Sequence, residues 1–221
     1  IGQRRMNLHK QVLTTASLLM IFAIVGAGIV GLTYENTYKR IERNEEQVLL
    51  RKLHTILAPD EYDNDLLDDR VELDRDLLLG TDGPSKAYLA YKNDKPVAAV
   101  LSPVAPNGYS GPIHLLVGIY YDGRVAGVRV VKHRETPGLG DAIESQRSDW
   151  ILGFDGQSLQ DPAEKNWKVK RDGGVFDQFT GATITPRAVV KAVRSALVYF
   201  QQHRKELFNE TEDGGAATEN S

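Results

Sequence analysis

Ile113-His114-Leu115-Leu116-Val117-Gly118-Ile119-Tyr120 and Val125-Ala126-Gly127-Val128-Arg129-Val130-Val131, with Asp122-Gly123 between them, decide the fold class. Both runs are rich in β-branched and aromatic residues, and Asp-Gly between two such runs predicts a hairpin closed by a two-residue turn. Working outward, Ala87-Tyr88-Leu89-Ala90-Tyr91 ends at Asn93-Asp94, and Pro96-Val97-Ala98-Ala99-Val100-Leu101 answers it as a second hairpin. Pro103, Pro106, Asn107 and Gly108 mark a loop between the two pairs. Four strands with short connections imply a mostly antiparallel sheet.

Helices complete an α+β pattern. After His133 the strand signal breaks at Glu135-Thr136-Pro137-Gly138-Leu139-Gly140, and a short helix is expected around residues 142–154. Residues 167–175 read as a short strand or turn ending in Gly173-Gly174. A longer helix is expected from Pro186 to about His203, with Thr185 as N-cap and Pro186 at the first helical position. Val189, Val193, Leu197 and Phe200 form its buried stripe. Residues 204–221 read as a polar, acidic, disordered tail.

The other end of the chain is apolar. No charge occurs between Lys10 and Glu35, and residues 12–34 are long enough for a helix to cross a bilayer core of about 30 Å. A secretory signal would have a shorter apolar region and a small-residue cleavage site, so a retained anchor in membrane lipid is expected after a flank at 1–11. Ala23, Ala27 and Gly31 give this helix a smooth face for another membrane helix. Arg4, Arg5 and Lys10 before the span balance Lys39, Arg40 and Arg43 after it, so charge alone does not orient it. Residues 35–80 read as a connector. A helix continues from the span until Pro59, then an acid-rich stretch runs from Asp60 to Asp76 with Leu66, Leu67, Val71 and Leu73 as anchors. That stretch is not an EF-hand, because the fifth and sixth positions counted from Asp63 are Leu67 and Asp68.

Composition excludes several chemistries. The 221 residues carry 27 Lys plus Arg against 30 Asp plus Glu, with no basic block that would mark a nucleic-acid surface. With no cysteine, thiol catalysis, disulfides and protein-ligated iron–sulfur clusters are absent from this sequence. His9, His54, His114, His133 and His203 show no metal-ligand spacing on one element.

One segment carries chemistry: Asp177-Gln178-Phe179-Thr180-Gly181-Ala182-Thr183-Ile184-Thr185-Pro186. A glycine turn delivers threonines to a helix start, where free N–H groups and the helix dipole favour a phosphate. It is not a Walker loop, because no Gly-Lys-Ser/Thr follows. From these residues alone, an ordinary capped helix start remains open as the commoner alternative.

Asp-x-x-Thr-Gly-Ala-Thr resembles the attachment motif of proteins that carry FMN as a phosphoester on threonine. Lys95–Leu101, Gly108-Tyr109-Ser110-Gly111, Leu115–Gly118, Glu135–Asp141 and Asp172-Gly173-Gly174 through Val190 extend the resemblance. Over residues 10–203 the chain resembles the G subunit of the Rnf (Rsx) electron transport complex. The C subunit of the sodium-pumping NADH:quinone reductase is a more distant relative, and a cofactor-free single-span scaffold is a further alternative. The resemblance implies an FMN-binding domain over residues 81–203, with FMN esterified to Thr183. Thr180, Gly181, Ala182, Thr185 and the loop residues Glu135, Thr136, Gly138, Leu139 and Gly140 would lie around the cofactor. Asp177 would be read by a flavin transferase during maturation. His133, just before that loop, is a further candidate for the flavin surroundings. The implied setting is a single-pass component of a bacterial inner-membrane translocase, its soluble domain on the periplasmic side. Its partners would be the membrane and iron–sulfur or flavin subunits of a complex coupling ferredoxin–NAD electron transfer to ion movement.

Overall fold

The computed structural model describes residues 2–209 and divides into two units, Ile1–Leu49 and Leu50–Ser221. The first unit is helical. It forms most of α1 (Gly2–His54), within which Val12–Tyr34 is long and apolar enough to cross a membrane. Every side chain of Val12–Tyr34 is exposed, so this stretch presents apolar surface on all sides, as a lipid-facing element does. Thr33 donates its hydroxyl to the Ile29 carbonyl at 2.8 Å, which satisfies the hydroxyl inside the helix.

The second unit is built on one antiparallel sheet of β1 (Arg70–Leu73), β2 (Ser85–Lys92), β3 (Lys95–Leu101), β4 (Val104–Ala105), β5 (Ile113–Tyr120) and β6 (Val125–Lys132). β1 pairs with β2, β2 with β3, and β3 with β5. β4 continues along the same edge of β5 in the same register as β3, and β6 pairs with β5 on the other side. The β2–β3 turn places Asn93 and Asp94 at φ 51° and 59°, the two left-handed residues a two-residue hairpin needs.

The β5–β6 turn differs from the expected two-residue form. Tyr120 N–H donates to Arg124 O and Gly123 N–H to Tyr120 O, both at 2.8 Å, with Gly123 at φ 92°. Three residues, Tyr121 to Gly123, therefore sit in the loop, and the glycine takes the left-handed position that closes it. Two short strands fall where connections were expected. β1 lies inside the acidic stretch, where Leu73 is buried and Arg70 and Glu72 face out. β4 lies between Pro103 and Pro106, and the Pro103 carbonyl accepts from Leu115 N–H at 3.0 Å.

The sheet is covered on both faces. Ala87, Leu89, Ala99, Leu101, Leu115, Val117 and Ile119 share one core with α2 (Ile184–Leu207). Val189, Val193, Leu197 and Phe200 are each at most 2% exposed there, as their spacing predicts. On the opposite face Leu53, Ile56 and Leu57 are buried. Gly118 and Gly127 pair across β5 and β6 beneath Ile56, and a Cβ on Gly118 would lie 2.2 Å from Ile56 Cγ2. Arg129 Nη2 donates to Thr55 O at 2.6 Å and Lys52 Nζ to Val130 O at 2.8 Å, tying residues 52–57 to β6. Burial there lowers the Lys52 pKa, with Glu144 partly opposing it.

α2 departs from expectation at both ends. It starts at Ile184 with Thr183 at the N-cap position, so Thr185 and Pro186 lie inside the first turn. It continues past His203 to Leu207, and Leu207 and Phe208 are buried in the core. The remainder of the expected tail, residues 210–221, lies outside the described residues. Between β6 and α2 the chain runs through short 3₁₀ turns, Gly140–Ile143 and Asp149–Phe154, in place of a single helix. The 167–175 segment contains another, Lys170–Asp172, and one bridge between Val169 and Phe176.

Candidate functional site

The segment leading into α2 rests on an aromatic cluster. Phe154 stacks on Phe176 with ring centroids 4.6 Å apart, and Trp167 lies 5.0 Å from Phe176. Trp150 packs edge-on against Phe154 and Phe179, and its Nε1–H donates to Asp177 O at 2.8 Å. The chain then turns at Gly181, whose φ of 82° favours glycine. Arg187, in the first helical turn, makes bidentate hydrogen bonds to Asp172 at 2.6 and 2.8 Å. These bonds hold the Asp172 carboxyl below the usual carboxylate range. They also place an anion beside a cation that sits at the positive end of the helix.

The start of α2 opens on a cavity of about 500 Å³. Gly181, Ala182, Thr183, Ile184 and Thr185 line one part; Glu135, Thr136, Leu139 and Gly140 line another; Tyr109 completes it. Two segments singled out in the sequence, some 40 residues apart, thus meet at one cavity. Thr180, Gly138 and Asp177 do not line it. Thr180 is exposed outside it, Gly138 makes a turn at φ 77°, and Asp177 is exposed and paired with Lys170 at 2.6 Å. Tyr109 and Ile184 line the cavity in addition to the residues the sequence points to.

Glu135 joins the parts. It is 4% exposed; its Oε1 accepts from Ser110 N–H at 2.9 Å and its Oε2 accepts from the Thr185 hydroxyl. Thr185, fully buried, is therefore engaged with a loop far away in sequence and does not cap its helix. The fit is close. A Cβ on Gly140 would lie 2.9 Å from both Glu135 Cβ and Oε2, and one on Gly108 would lie 2.9 Å from Oε1. Glu135 N–H donates to His133 Nδ1 at 3.0 Å, while His133 Nε2 lies 2.8 Å from Glu144 Oε1. A neutral His133 then carries its proton on Nε2. His133 acts behind the loop and does not line the cavity.

Thr183 is half-buried at the cavity, and its hydroxyl makes no capping bond and no other hydrogen bond within the described residues. The N–H groups of Thr183, Ile184 and Thr185 precede the first intrahelical donor, Arg187. No Lys, Arg or His among the described residues lines the cavity. A free hydroxyl, a helix start and apolar walls fit a cofactor with a phosphate end and a flat ring, in a volume within the usual ligand range of about 300–1,000 Å³.

Fold and site together describe a cofactor-binding α+β unit that follows an apolar helix. Residues 108–198 match the FMN-binding domain family, and residues 6–56 match the RnfG N-terminal region. Over 207 residues the chain is 50% identical to the G subunit of the ion-translocating oxidoreductase complex of Pseudomonas aeruginosa, covering 94% of this chain and 97% of that one. The corresponding protein of Vibrio cholerae is 47% identical over 193 residues, covering 87% of this chain and 92% of its own. That of Shewanella loihica is 45% identical over 202 residues, covering 91% and 95%. The chain belongs to the family of G subunits of ion-translocating oxidoreductase complexes.

Proposed function

We propose that this chain is a membrane-anchored flavoprotein component of an Rnf-type ion-translocating oxidoreductase complex, and that FMN is held on Thr183 as a phosphoester. The observation that carries the attachment point is the unpartnered Thr183 hydroxyl at the cavity, at the start of α2. When bound, FMN supplies reversible electron transfer. The chain's own residues supply the hold. The N–H groups of Thr183 to Thr185 are available to the phosphate, and Gly140 and Gly181 allow backbone to approach the cofactor closely.

A covalent hold suits this cavity. A free phosphate dianion would meet no side-chain cation, and the Glu135 carboxyl stands close by. Esterification removes one ionisation and prevents loss by diffusion. The helix dipole is then sufficient, as it favours one negative charge by about 0.3–1 kcal/mol at exposed sites.

Around this centre we place the finer reading. Asp177, exposed beside the motif, is open to a flavin transferase. The apolar helix anchors the domain in a bacterial inner membrane with the soluble unit on the periplasmic side. The chain relays electrons within a complex that couples ferredoxin–NAD electron transfer to ion translocation, alongside membrane and iron–sulfur or flavin subunits. The one candidate span among the described residues cannot form an ion path by itself, so translocation is assigned to those partners.

The test is the mass of the intact chain after extraction from membranes of a host that contains the flavin transferase. A single FMN ester that survives denaturation, is lost in Thr183→Val and is kept in Thr180→Val is the expected result. Flavin that washes away on denaturation would overturn the ester. A colourless chain would favour a cofactor-free scaffold.

A further inference from the structure

Tyr109 is the tyrosine of the Leu50–Ser221 unit that packing does not account for. Tyr62, Tyr88, Tyr91, Tyr120, Tyr121 and Tyr199 are buried or half-buried. Tyr109 is 68% exposed, and its side chain makes no ring contact and no hydrogen bond within the described residues. Its backbone is nevertheless held firmly. Ser110 N–H is fixed on Glu135 Oε1, and Gly108 lies so close to this carboxyl and to Gly111 O that a Cβ would stand 2.9 and 2.3 Å from them. An exposed ring on an anchored loop is what a preorganised contact for a ligand looks like, because little freedom remains to be lost on binding.

The cavity divides by chemistry. Thr183 and the helix start offer a hydroxyl and N–H donors. Tyr109, Leu139 and Ile184 offer large apolar surface, with Leu139 and Ile184 each 45% exposed. Exposed apolar groups gathered around one concavity mark an occupant. Resting on the reading that FMN is carried on Thr183, the polar part takes the phosphate and the apolar part remains for the ring.

We propose that Tyr109 is a positioning residue that stacks on the isoalloxazine ring of the FMN held on Thr183. The contact orients the ring and shields one of its faces from water. Offset stacking of aromatic planes is the favoured geometry for such a pair.

The experiment uses the full-length, detergent-extracted, flavin-loaded chain and its Tyr109→Phe and Tyr109→Leu variants. Flavin emission is measured per bound flavin, together with quenching by iodide. A stacked tyrosine quenches an excited flavin by donating an electron, which leucine cannot do. Tyr109→Leu is expected to raise both emission and iodide quenching by at least about twofold at unchanged flavin content. Tyr109→Phe keeps an aromatic plane with a poorer electron donor, so emission rises while protection from iodide is retained. Wild-type emission and iodide access in Tyr109→Leu, with the ester intact by mass, would overturn the stacking and leave the attachment standing. Such a result combined with weakened assembly would assign Tyr109 to a protein contact instead. A wild-type chain without FMN would overturn both readings.

Discussion

Thr185→Val tests the joint on which the site depends. Thr185 is 0% exposed and its hydroxyl donates to Oε2 of Glu135, itself 4% exposed. Valine has nearly the same shape, so no cavity forms and β-branching is retained. What changes is one donor. Glu135 Oε1 keeps its bond from Ser110 N–H, while Oε2 is left buried without a partner. A buried acceptor stripped of its donor costs about 1–3 kcal/mol, and more when charged, so about 2 kcal/mol is expected. For a unit of this size each kcal/mol shifts the midpoint by about 2–4 °C, giving a fall of about 4–8 °C. Thermal unfolding of the full chain in detergent, followed by circular dichroism, measures it. Thr185→Ser keeps the hydroxyl and should recover at least half of the loss. Glu135→Gln should also be milder, because its amide can accept from Ser110 while donating to the Thr185 oxygen. If Thr185→Val unfolds within a degree of wild type, or serine is as damaging as valine, the hydroxyl does not hold the loop to the helix.

Two further outcomes follow from other contacts. Gly118→Ala drives a Cβ into Ile56 Cγ2 and should destabilise the unit by about 1–3 kcal/mol, freeing residues 53–57 to faster proteolysis. Adding Ile56→Ala should cost less than the sum of the two single changes, whereas strict additivity in chemical denaturation would refute the clash. The lowered Asp172 pKa means the folded chain binds that proton less tightly than the unfolded one. The stability gained with Arg187 is therefore fully present above the unfolded carboxyl pKa of about 3.9 and lost as pH falls through the folded value. The midpoint difference between wild type and Asp172→Asn should thus be constant near neutrality and close in acid; a difference that grows in acid would contradict the pairing.

How much of the molecule is legible in the sequence depends on whether a signal is local. The Asn93-Asp94 hairpin and the α2 stripe are written within a few neighbouring residues, and both form where expected. β1 is hidden because four residues flanked by acids carry too little alternation to compete with their charge, and only pairing with β2 reveals them. β4 is hidden because its flanking prolines mark a loop, although a proline carbonyl can still accept in a ladder. Thr185 looks like an N-cap by residue type. Its hydroxyl is instead taken by Glu135, 50 residues away, and the helix begins one residue before it, at Ile184. The motif at residues 177–186 and the loop at 135–140 are each visible, but their meeting at one cavity is not. Tyr109 carries a fainter signal, an aromatic between glycines in a loop, where burial does not explain it.

The same long-range contact explains why the cavity combines features that conflict for an untethered anion. A helix start attracts negative charge, yet the Glu135 carboxyl lies against that turn and no cation among the described residues lines the walls. A site for freely exchanging phosphate would be expected to hold a lysine or arginine there. Glu135 has a different role: it fixes Thr185 and Ser110 at once, and so sets both the helix start and the Tyr109 loop. With a covalent tether on Thr183, residence no longer depends on charge, and the cavity's residues are free to govern orientation. The proposed ester therefore accounts for an acid at a phosphate site, and it makes the Glu135 joint matter more for where the ring lies than for whether FMN is retained. Glu135→Gln should accordingly change flavin emission and iodide access while the intact mass still shows the ester; loss of the ester at unchanged folding would reverse that ordering.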